Sequence, residues 1–244
     1  MRIPRIYTGQ ELQANAEIVL EPGPSQHLSR VLRMGVGDAL VLFNGSGGQY
    51  PATISAVDRK AVVVASAAME TLECESPLQL QLGIAVSRGE RMDWVVQKAT
   101  ELGVSCIAPL VSERTEVKLG AERGEKKLRH WQQIAVSACE QCGRNRLPEV
   151  LPPQPLQHWL QAVQADVRLV LHHSASNRDP GSSAPASIAL LVGPEGGLSA
   201  EEIRAAEGAG FAALQLGPRV LRTETAPLAA IAILQARWGD MGTG

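Results

Sequence analysis

Two short apolar segments near the end of the chain, each followed at once by a glycine–proline pair, constrain the fold more than any other feature. Residues 188–192 (IALLV) precede the Gly-Pro pair at 193–194, and residues 212–216 (AALQL) precede the Gly-Pro pair at 217–218. Short apolar runs bounded by such turns are typical of buried strands. The sequence therefore predicts two strands that each open into a loop.

The segment between these two turns carries the signals of a helix N-terminus. Ser199 and Glu202 have the spacing of a capping box, and acidic residues cluster in the first turn. Gly196 and Gly197 lie just before this helix, where bare N–H groups and the helix dipole can approach a polar ligand. A structural protein has little need of two such loops, so we predict a ligand pocket.

From residue 77 onward the chain alternates strand-like and helix-like segments. This alternation predicts an α/β domain whose parallel sheet is covered by helices on both faces. Residues 174–187 are rich in Ser, Ala, Pro and Gly and predict a flexible loop. The other predicted strands cover residues 78–86, 107–111 and 168–172. Three further helices are predicted: one after a capping box at Ser87 and Glu90, one over residues 122–142, and one around Trp159.

Residues 1–73 form a separate β-rich region, and we predict two domains, 1–73 and 77–244. The glycine-rich stretch at 45–48 lacks the Lys-Ser/Thr ending and the following helix of a phosphate loop, so it predicts a hairpin turn. This first region contains predicted strands at 40–43, 50–57 and 61–65 and a short predicted helix at 26–34.

Composition limits the environments and partners that suit this chain. Aromatic residues make up 3% of it and its net charge is -2, so an RNA-binding surface would have to be a local patch of basic residues. No apolar run approaches the roughly 18 residues that span a bilayer, and no signal sequence follows Met1. We expect a cytoplasmic protein without a membrane partner.

Two residue pairs resemble metal ligands but do not predict a metal site. Cys139 and Cys142 lie on one predicted helix, and no second pair completes a zinc site. His172 and His173 are adjacent on a predicted strand, so their side chains point to opposite faces. We expect no metal, with the cysteines at buried or half-buried helix positions and His172 in a pocket wall.

Other glycine-rich binding sites are excluded by their missing motifs. No G-x-G-x-x-G follows the first strand of the second domain, and neither a P-loop nor a G-x-S-x-G elbow is present. The remaining prediction is a pocket lined by backbone groups, which suits a ligand with an adenine and a small zwitterionic tail.

The motifs GPEGGLS and LGPRVLRTETAPLAA resemble the paired cofactor loops of the SPOUT methyltransferases, specifically the RsmE family of ribosomal RNA uridine-N3 methyltransferases. MRIPRIY, HLSRVLRMGVGD, QKATELGV, SERTEV and EQCGRNRLPEV follow the same family order. Two positions depart from the family pattern, since Leu198 replaces a usual aromatic residue and Gln26 a frequent histidine. The resemblance covers nearly the whole chain.

This resemblance implies a fold, a cofactor and a set of contacts. The fold would be a C-terminal SPOUT α/β domain with a trefoil knot, in which residues 216–229 thread through a loop, plus a small N-terminal PUA-like β-barrel domain. An ordinary strand-to-helix loop with a buried Arg–Glu pair is the alternative at 216–229. S-adenosyl-L-methionine would bind at Leu171, His172, Gly193, Gly196, Leu216, Gly217 and Leu221.

The implied reaction is methyl transfer to N3 of a uridine near the 3′ end of 16S, small-subunit, ribosomal RNA. Uracil N3 is a weak nucleophile until its proton leaves, so a carboxylate and an anion-stabilising cation are expected. Glu195, Arg222 and Glu224 are the candidates, although an Arg–Glu pair that holds the loops explains them equally. The alternatives are methylation of another RNA or of ribose, and a non-catalytic RNA-binding protein.

Arginines are the predicted RNA contacts. Arg2, Arg5, Arg30 and Arg33 in the first domain are either solvated surface residues or a patch that holds phosphates, and the PUA-like resemblance favours RNA. The SERTEV and EQCGRNR motifs imply further contacts across a homodimer, through Arg114, Glu140, Arg144 and Arg146.

Overall fold

The computed structural model describes residues 3–59, 61–117, 120–172 and 184–242. The chain divides into two compact units. The first unit comprises Met1–Glu75 together with Cys139–Leu147, and the second comprises Ser76–Ala138 together with Pro148–Gly244. This division differs from the predicted one because the segment at 139–147 belongs to the first unit.

The first unit is built on a five-stranded sheet in the order β1-β3-β4-β5-β2. β1 pairs parallel with β3, and the other neighbours are antiparallel. A PUA-like β-barrel domain was predicted here; within the described residues, β1 and β2 are the two edges of the sheet and are not paired with each other. The strands are β1 (Arg5–Tyr7), β2 (Glu17–Val19), β3 (Ala39–Phe43), β4 (Tyr50–Val57) and β5 (Val62–Ser66).

A helical segment between β2 and β3 begins earlier than predicted. α1 (Pro22–Gln26) has proline in its first turn, where the missing N–H costs nothing, and it continues into a π-helical turn at His27–Val31. The segment ends where Met34 N donates to the Leu28 carbonyl at 3.0 Å. Arg33 lies in the left-handed backbone region there, with φ of 55°.

The segment at 139–147 joins the first unit through buried polar contacts. Glu140 Oε1 accepts a hydrogen bond from Tyr7 N at 3.0 Å, and Arg5 Nη2 donates to Asn145 Oδ1 at 2.6 Å. Burial raises the pKa of the Glu140 carboxyl above its ordinary value, while the bond from Tyr7 opposes this shift. Arg144 is 4% exposed, and its guanidinium reaches Glu75 Oε2 at 2.7 Å.

These contacts correct the predicted role of Arg144. A guanidinium that is buried and held by Glu75 does not present its charge to a nucleic acid. Arg5 is also largely committed within the first unit, since it bonds to Gln49 and lies 4.9 Å from the centre of the Phe43 ring. Both arginines stabilise the first unit.

The second unit contains a seven-stranded sheet in the order β12-β10-β11-β6-β7-β8, with β9 also pairing β7. Every pairing in it is parallel, as predicted. The strands are β6 (Gln79–Ala85), β7 (Cys106–Val111), β8 (Glu149–Val150), β9 (Gln154–Pro155), β10 (Val167–Leu171), β11 (Ser187–Val192) and β12 (Ala212–Leu214).

Helices cover both faces of this sheet, which confirms the α/β class. Alternate residues of β11 show the arrangement: Leu190 packs in the core with α2, α3 and α6, whereas Leu191 packs in a second core with α4 and α5. The helices are α2 (Arg91–Glu101), α3 (Ala121–Cys142), α4 (Leu156–Ala162), α5 (Ala200–Gly208) and α6 (Thr225–Trp238). Among the described residues, no helix is both long and apolar enough to cross a bilayer.

The predicted helix caps had different outcomes. The Ser199 side chain accepts from Glu202 N at 3.3 Å, and Glu202 accepts from Ser199 N at 2.9 Å, so this capping box is confirmed. The box predicted at Ser87 and Glu90 is wrong, because Glu90 is itself the N-cap of α2 and its side chain makes no capping bond.

Candidate active site

A cavity of about 320 Å³ lies where β10, β11 and β12 end. These strands are neighbours in one parallel sheet, so their carboxyl ends meet at the same edge. Ligands of parallel α/β sheets bind at this edge, because loops and backbone groups converge there. The cavity therefore lies where a binding site is expected in this fold.

All the residues predicted to contact the cofactor line this cavity. Leu171 ends β10 and His172 follows it, with the His172 N–H bonded to the Leu214 carbonyl at 3.2 Å. The remaining members of the wall were not predicted from the sequence as cofactor contacts. The lining comprises Arg114, Leu171, His172, Val192, Gly193, Pro194, Glu195, Gly196, Gly197, Leu198, Leu214, Gln215, Leu216, Gly217, Arg219, Val220, Leu221, Thr223 and Ala226.

The loop at 193–198 forms one wall and needs glycine at its first position. Gly197 N donates to the Pro194 carbonyl at 2.8 Å, which closes a turn. A Cβ atom on Gly193 would lie 2.9 Å from Leu198 Cγ and 3.0 Å from Leu198 N. Leu198 thus packs against the backbone where the loop leaves β11, and any side chain at position 193 would displace it.

The segment between β12 and α6 forms the opposite wall. Gly217 has φ of 86°, a conformation that side chains disfavour, and it turns the chain immediately after the strand. The Arg222 carbonyl then accepts hydrogen bonds from Thr225 N and Ala226 N, both at 2.9 Å. These bonds start α6 and fix the backbone beside the cavity.

The two candidate proton acceptors share one cation that sequence analysis missed. Arg91 Nη1 lies 2.8 Å from Glu195 Oε1, and Arg91 Nε lies 3.9 Å from Glu224 Oε2. Glu195 lines the cavity, whereas Glu224 is not part of its lining and precedes α6. Arg91 is the first residue of α2, where the helix dipole disfavours a cation. A positive charge at this position was the sequence feature that could have indicated an acidic partner.

Arg222 lies next to the cavity without lining it. Its chain neighbours Leu221 and Thr223 both belong to the wall, while the Arg222 side chain is exposed. Within the part of the chain that the structure describes, this side chain makes no hydrogen bond or ion pair. It is consequently available to a group that approaches the mouth of the cavity.

The predicted RNA-contact arginines fall into different environments. Arg30, Arg33 and Arg146 are exposed on the first unit, with Arg146 Nε 3.8 Å from Glu73 Oε2. Arg114 lies instead at the cavity, where its Nη1 donates to the Gly196 carbonyl at 2.9 Å. Arg2 lies outside the described residues, as does most of the loop predicted at 174–187.

Helix α2 borders a second cavity of about 550 Å³. Trp94, which is 52% exposed, and the half-buried Ile134 supply apolar surface to this cavity, and Arg91 and Glu224 supply charge. Across the described ranges, no group of three or more His, Cys, Asp or Glu side chains is placed to hold a metal ion.

Comparison with known proteins relates both units to RNA methylation. A family model for an RNA methyltransferase domain matches residues 74–235, and one for an RNA methyltransferase PUA domain matches residues 25–65. The ribosomal RNA small subunit methyltransferase E of Buchnera aphidicola subsp. Schizaphis graminum is 36% identical, over 98% of this chain and 98% of the relative.

Two similar proteins have been crystallised with a cofactor. A methyltransferase from Legionella pneumophila in complex with bound SAM is 45% identical, with a TM-score of 0.95 over 98% of this chain and 100% of that one. The ribosomal RNA small subunit methyltransferase E of Neisseria gonorrhoeae, bound to S-adenosyl methionine, is 38% identical, with a TM-score of 0.90 over 98% and 99%.

Proposed function

Because this chain belongs to the ribosomal RNA small subunit methyltransferase E family, we propose that it methylates N3 of one uridine in 16S ribosomal RNA, with S-adenosyl-L-methionine as the methyl donor. The observation that carries this proposal is the cavity at the ends of β10, β11 and β12, lined by all the predicted cofactor contacts. The substrate also implies that the protein acts in the cytoplasm.

The residues of the cavity suit this cofactor. Leu171, Leu216 and Leu221 offer apolar surface to an adenine, and the loop at 193–198 offers backbone groups to polar atoms. The space beside the Gly196 backbone is bordered by Arg114, since a Cβ atom added to Gly196 would lie 3.5 Å from Arg114 Cδ. When bound, the cofactor supplies a methyl group on a sulfonium that is already a good leaving group.

The chain itself supplies the proton acceptor and the cation of the reaction. Glu195 or Glu224 accepts the N3 proton, and Arg222 stabilises the negative charge that spreads to O2 and O4 of the uracil. Arg91 holds both carboxylates in position until one of them acts. Since N3 is hidden in a Watson–Crick pair, the target uridine is unpaired or flipped out.

Exposed arginines of the first unit supply the RNA-binding patch. The side chains of Arg30, Arg33 and Arg146 are exposed, and Arg146 Nε lies 3.8 Å from Glu73 Oε2. Arg33 is in the left-handed backbone region, which glycine adopts at lower cost. The arginine side chain does not favour this backbone conformation, so we assign it a role in binding rather than in folding. We assign these three arginines to RNA phosphates.

The working assembly is a homodimer. Helix α6 (TAPLAAIAILQARW) is apolar on nearly all sides, and such helices are normally covered. Ile233 on this helix is 53% exposed and Trp94 on α2 is 52% exposed, so each helix presents a large apolar side chain. Sedimentation should show a dimer that Ile233→Asp converts to monomer, while Val36→Asp in the first unit leaves it intact. A fully active wild-type monomer would contradict this assembly.

The segment at 216–229 forms the trefoil knot of this proposal. β12 lies at the edge of the sheet beside β10, whereas α6 contacts β11 and α2, and this separation of β12 from α6 supports the proposal. Stretching the chain between its ends in an optical trap should leave a residual knot that shortens the extended length. Recovery of the full contour length would exclude the knot.

Methylation of extracted ribosomal RNA, followed by location of the modified nucleotide, tests the function. We expect one methylated uridine, with the methyl group on N3. A methyl group on a ribose or in another RNA would identify a different methyltransferase. Cofactor and RNA binding without any product would identify a non-catalytic protein.

A further inference from the structure

The loop after β7 carries the SERTEV motif and is a rigid turn. Thr115 N donates to the Ser112 carbonyl at 3.1 Å, and Ser112 N donates to Thr115 Oγ1 at 3.0 Å. The two hydroxyl oxygens are also 2.8 Å apart. Because both ends of the turn are bonded to each other, the two residues between them, Glu113 and Arg114, have fixed positions.

Glu113 joins this turn to the start of α5. Its N–H donates to Glu202 Oε1 at 2.8 Å, and the other oxygen of Glu202 accepts from Ser199 N at 2.9 Å. Glu202 is 7% exposed, so one buried carboxylate serves both the helix cap and the loop after β7. Removal of the Glu202 carboxylate would leave the buried Ser199 N–H and the part-buried Glu113 N–H without this acceptor, which makes the attachment firm.

Arg114 makes the second attachment, directly to the loop at 193–198. Its Nη1 donates to the Gly196 carbonyl at 2.9 Å, and a Cβ atom added to Gly196 would lie 3.5 Å from Arg114 Cδ and 3.6 Å from Arg114 Cβ. Gly196 lies between β11 and α5, where no helix or sheet ladder holds its carbonyl. The cavity wall at this point therefore depends on a side chain from a neighbouring loop.

We infer that Arg114 is a positioning residue that holds the loop at 193–198 in its ligand-binding conformation, rather than a contact to RNA. This inference rests on the proposed function, because the ligand in question is S-adenosylmethionine. A loop ordered in advance binds its ligand more tightly, since the ordering cost is not deducted from the binding free energy. Loss of one charge-assisted hydrogen bond at a partly exposed site should weaken cofactor binding about tenfold.

Binding measurements on Arg114→Ala separate the two roles. Calorimetry should show S-adenosylmethionine affinity lowered about tenfold, while affinity for a small-subunit ribosomal RNA fragment stays at the wild-type value. Arg114→Lys keeps the charge but loses the planar guanidinium, so it should restore cofactor affinity only in part. Arg88→Ala is the matched control, because Arg88 is an exposed arginine of the second unit paired with Glu116 at 2.9 Å.

Hydrogen exchange of the free protein gives a test that needs no cofactor. Backbone amides at 195–198 should exchange faster in Arg114→Ala than in the wild type, while the amides of β6 remain unchanged. Reduced RNA affinity with unchanged cofactor affinity, or unchanged exchange at 195–198, would overturn the inference. A wild-type protein that binds no S-adenosylmethionine would refute the proposed function instead, and the exchange result would still decide the role of Arg114.

Discussion

Arg222→Ala should abolish most of the catalytic rate without affecting the fold. The Arg222 carbonyl, which starts α6, is retained in the variant, and its exposed side chain makes no bond within the described part of the chain. The free energy of unfolding should therefore change by less than about 0.5 kcal/mol. Loss of a cation that stabilises the uracil anion in the transition state costs about 3 kcal/mol, or about a hundredfold in rate.

The assay is single-turnover methyl transfer from labelled S-adenosylmethionine to a small-subunit ribosomal RNA fragment, at saturating concentrations of both. Calorimetric cofactor affinity should change less than about threefold, because the interaction exists mainly during reaction. Arg222→Lys should recover part of the rate, since a point charge replaces the planar guanidinium. Arg204→Ala, which removes an exposed arginine of α5 paired with Glu201, is the control for net charge.

Two outcomes would refute this reasoning. A rate for Arg222→Ala within a few-fold of the Arg204→Ala rate would show that Arg222 does not act on the transition state. Cofactor affinity and melting temperature that fall together would show that Arg222 stabilises the loop before α6.

Three further predictions concern single positions. Gly83→Ala should lower the free energy of unfolding by about 1–3 kcal/mol, because a Cβ there would lie 2.5 Å from the buried Trp159 ring; an unchanged melting temperature would contradict this packing. Arg33→Gly should keep or raise stability, by up to about 1 kcal/mol, yet weaken RNA binding in a filter assay; unchanged RNA affinity would remove Arg33 from the patch. Burial, reinforced by the Glu149 carboxylate, raises the pKa of the Cys106 thiol from 9.0 to about 12. The unfolded thiol therefore ionises first, so urea unfolding should show stability lost from pH 9 towards pH 12, with a smaller loss in Cys106→Ala.

The position of the cavity could be predicted because its signals are local. Gly193 and Gly217 each follow a short apolar strand, and Ser199 and Glu202 mark a helix start within four residues. Three neighbouring parallel strands then bring these loops to one edge of the sheet. The role of Gly83 in the strand Gln79–Ala85 could not be predicted, because this glycine makes room for an aromatic ring that comes from α4.

The ion pairs could not be predicted because their partners are far apart in sequence. Arg91 is separated by more than a hundred residues from Glu195, and Arg144 by about seventy from Glu75. An arginine has the same sequence signature whether it faces RNA or a buried carboxylate, so Arg144 was assigned to RNA. The bond of Arg114 to the Gly196 carbonyl could not be predicted for the same reason, since nothing near Arg114 in the chain indicates this partner.

The late segment at 139–147 has a consequence for the order in which a nascent chain matures. A ribosome that has released residues 1–75 has made all five strands of the first unit, but not Asn145, Arg144 or Glu140. At roughly 5–20 residues per second, translation takes several more seconds to reach them. During that interval the bonds of Arg5 to Asn145, of Glu75 to Arg144 and of the Tyr7 N–H to Glu140 cannot form. The synthesis of the first unit therefore begins first, but this unit is completed only after part of the second unit has been synthesised.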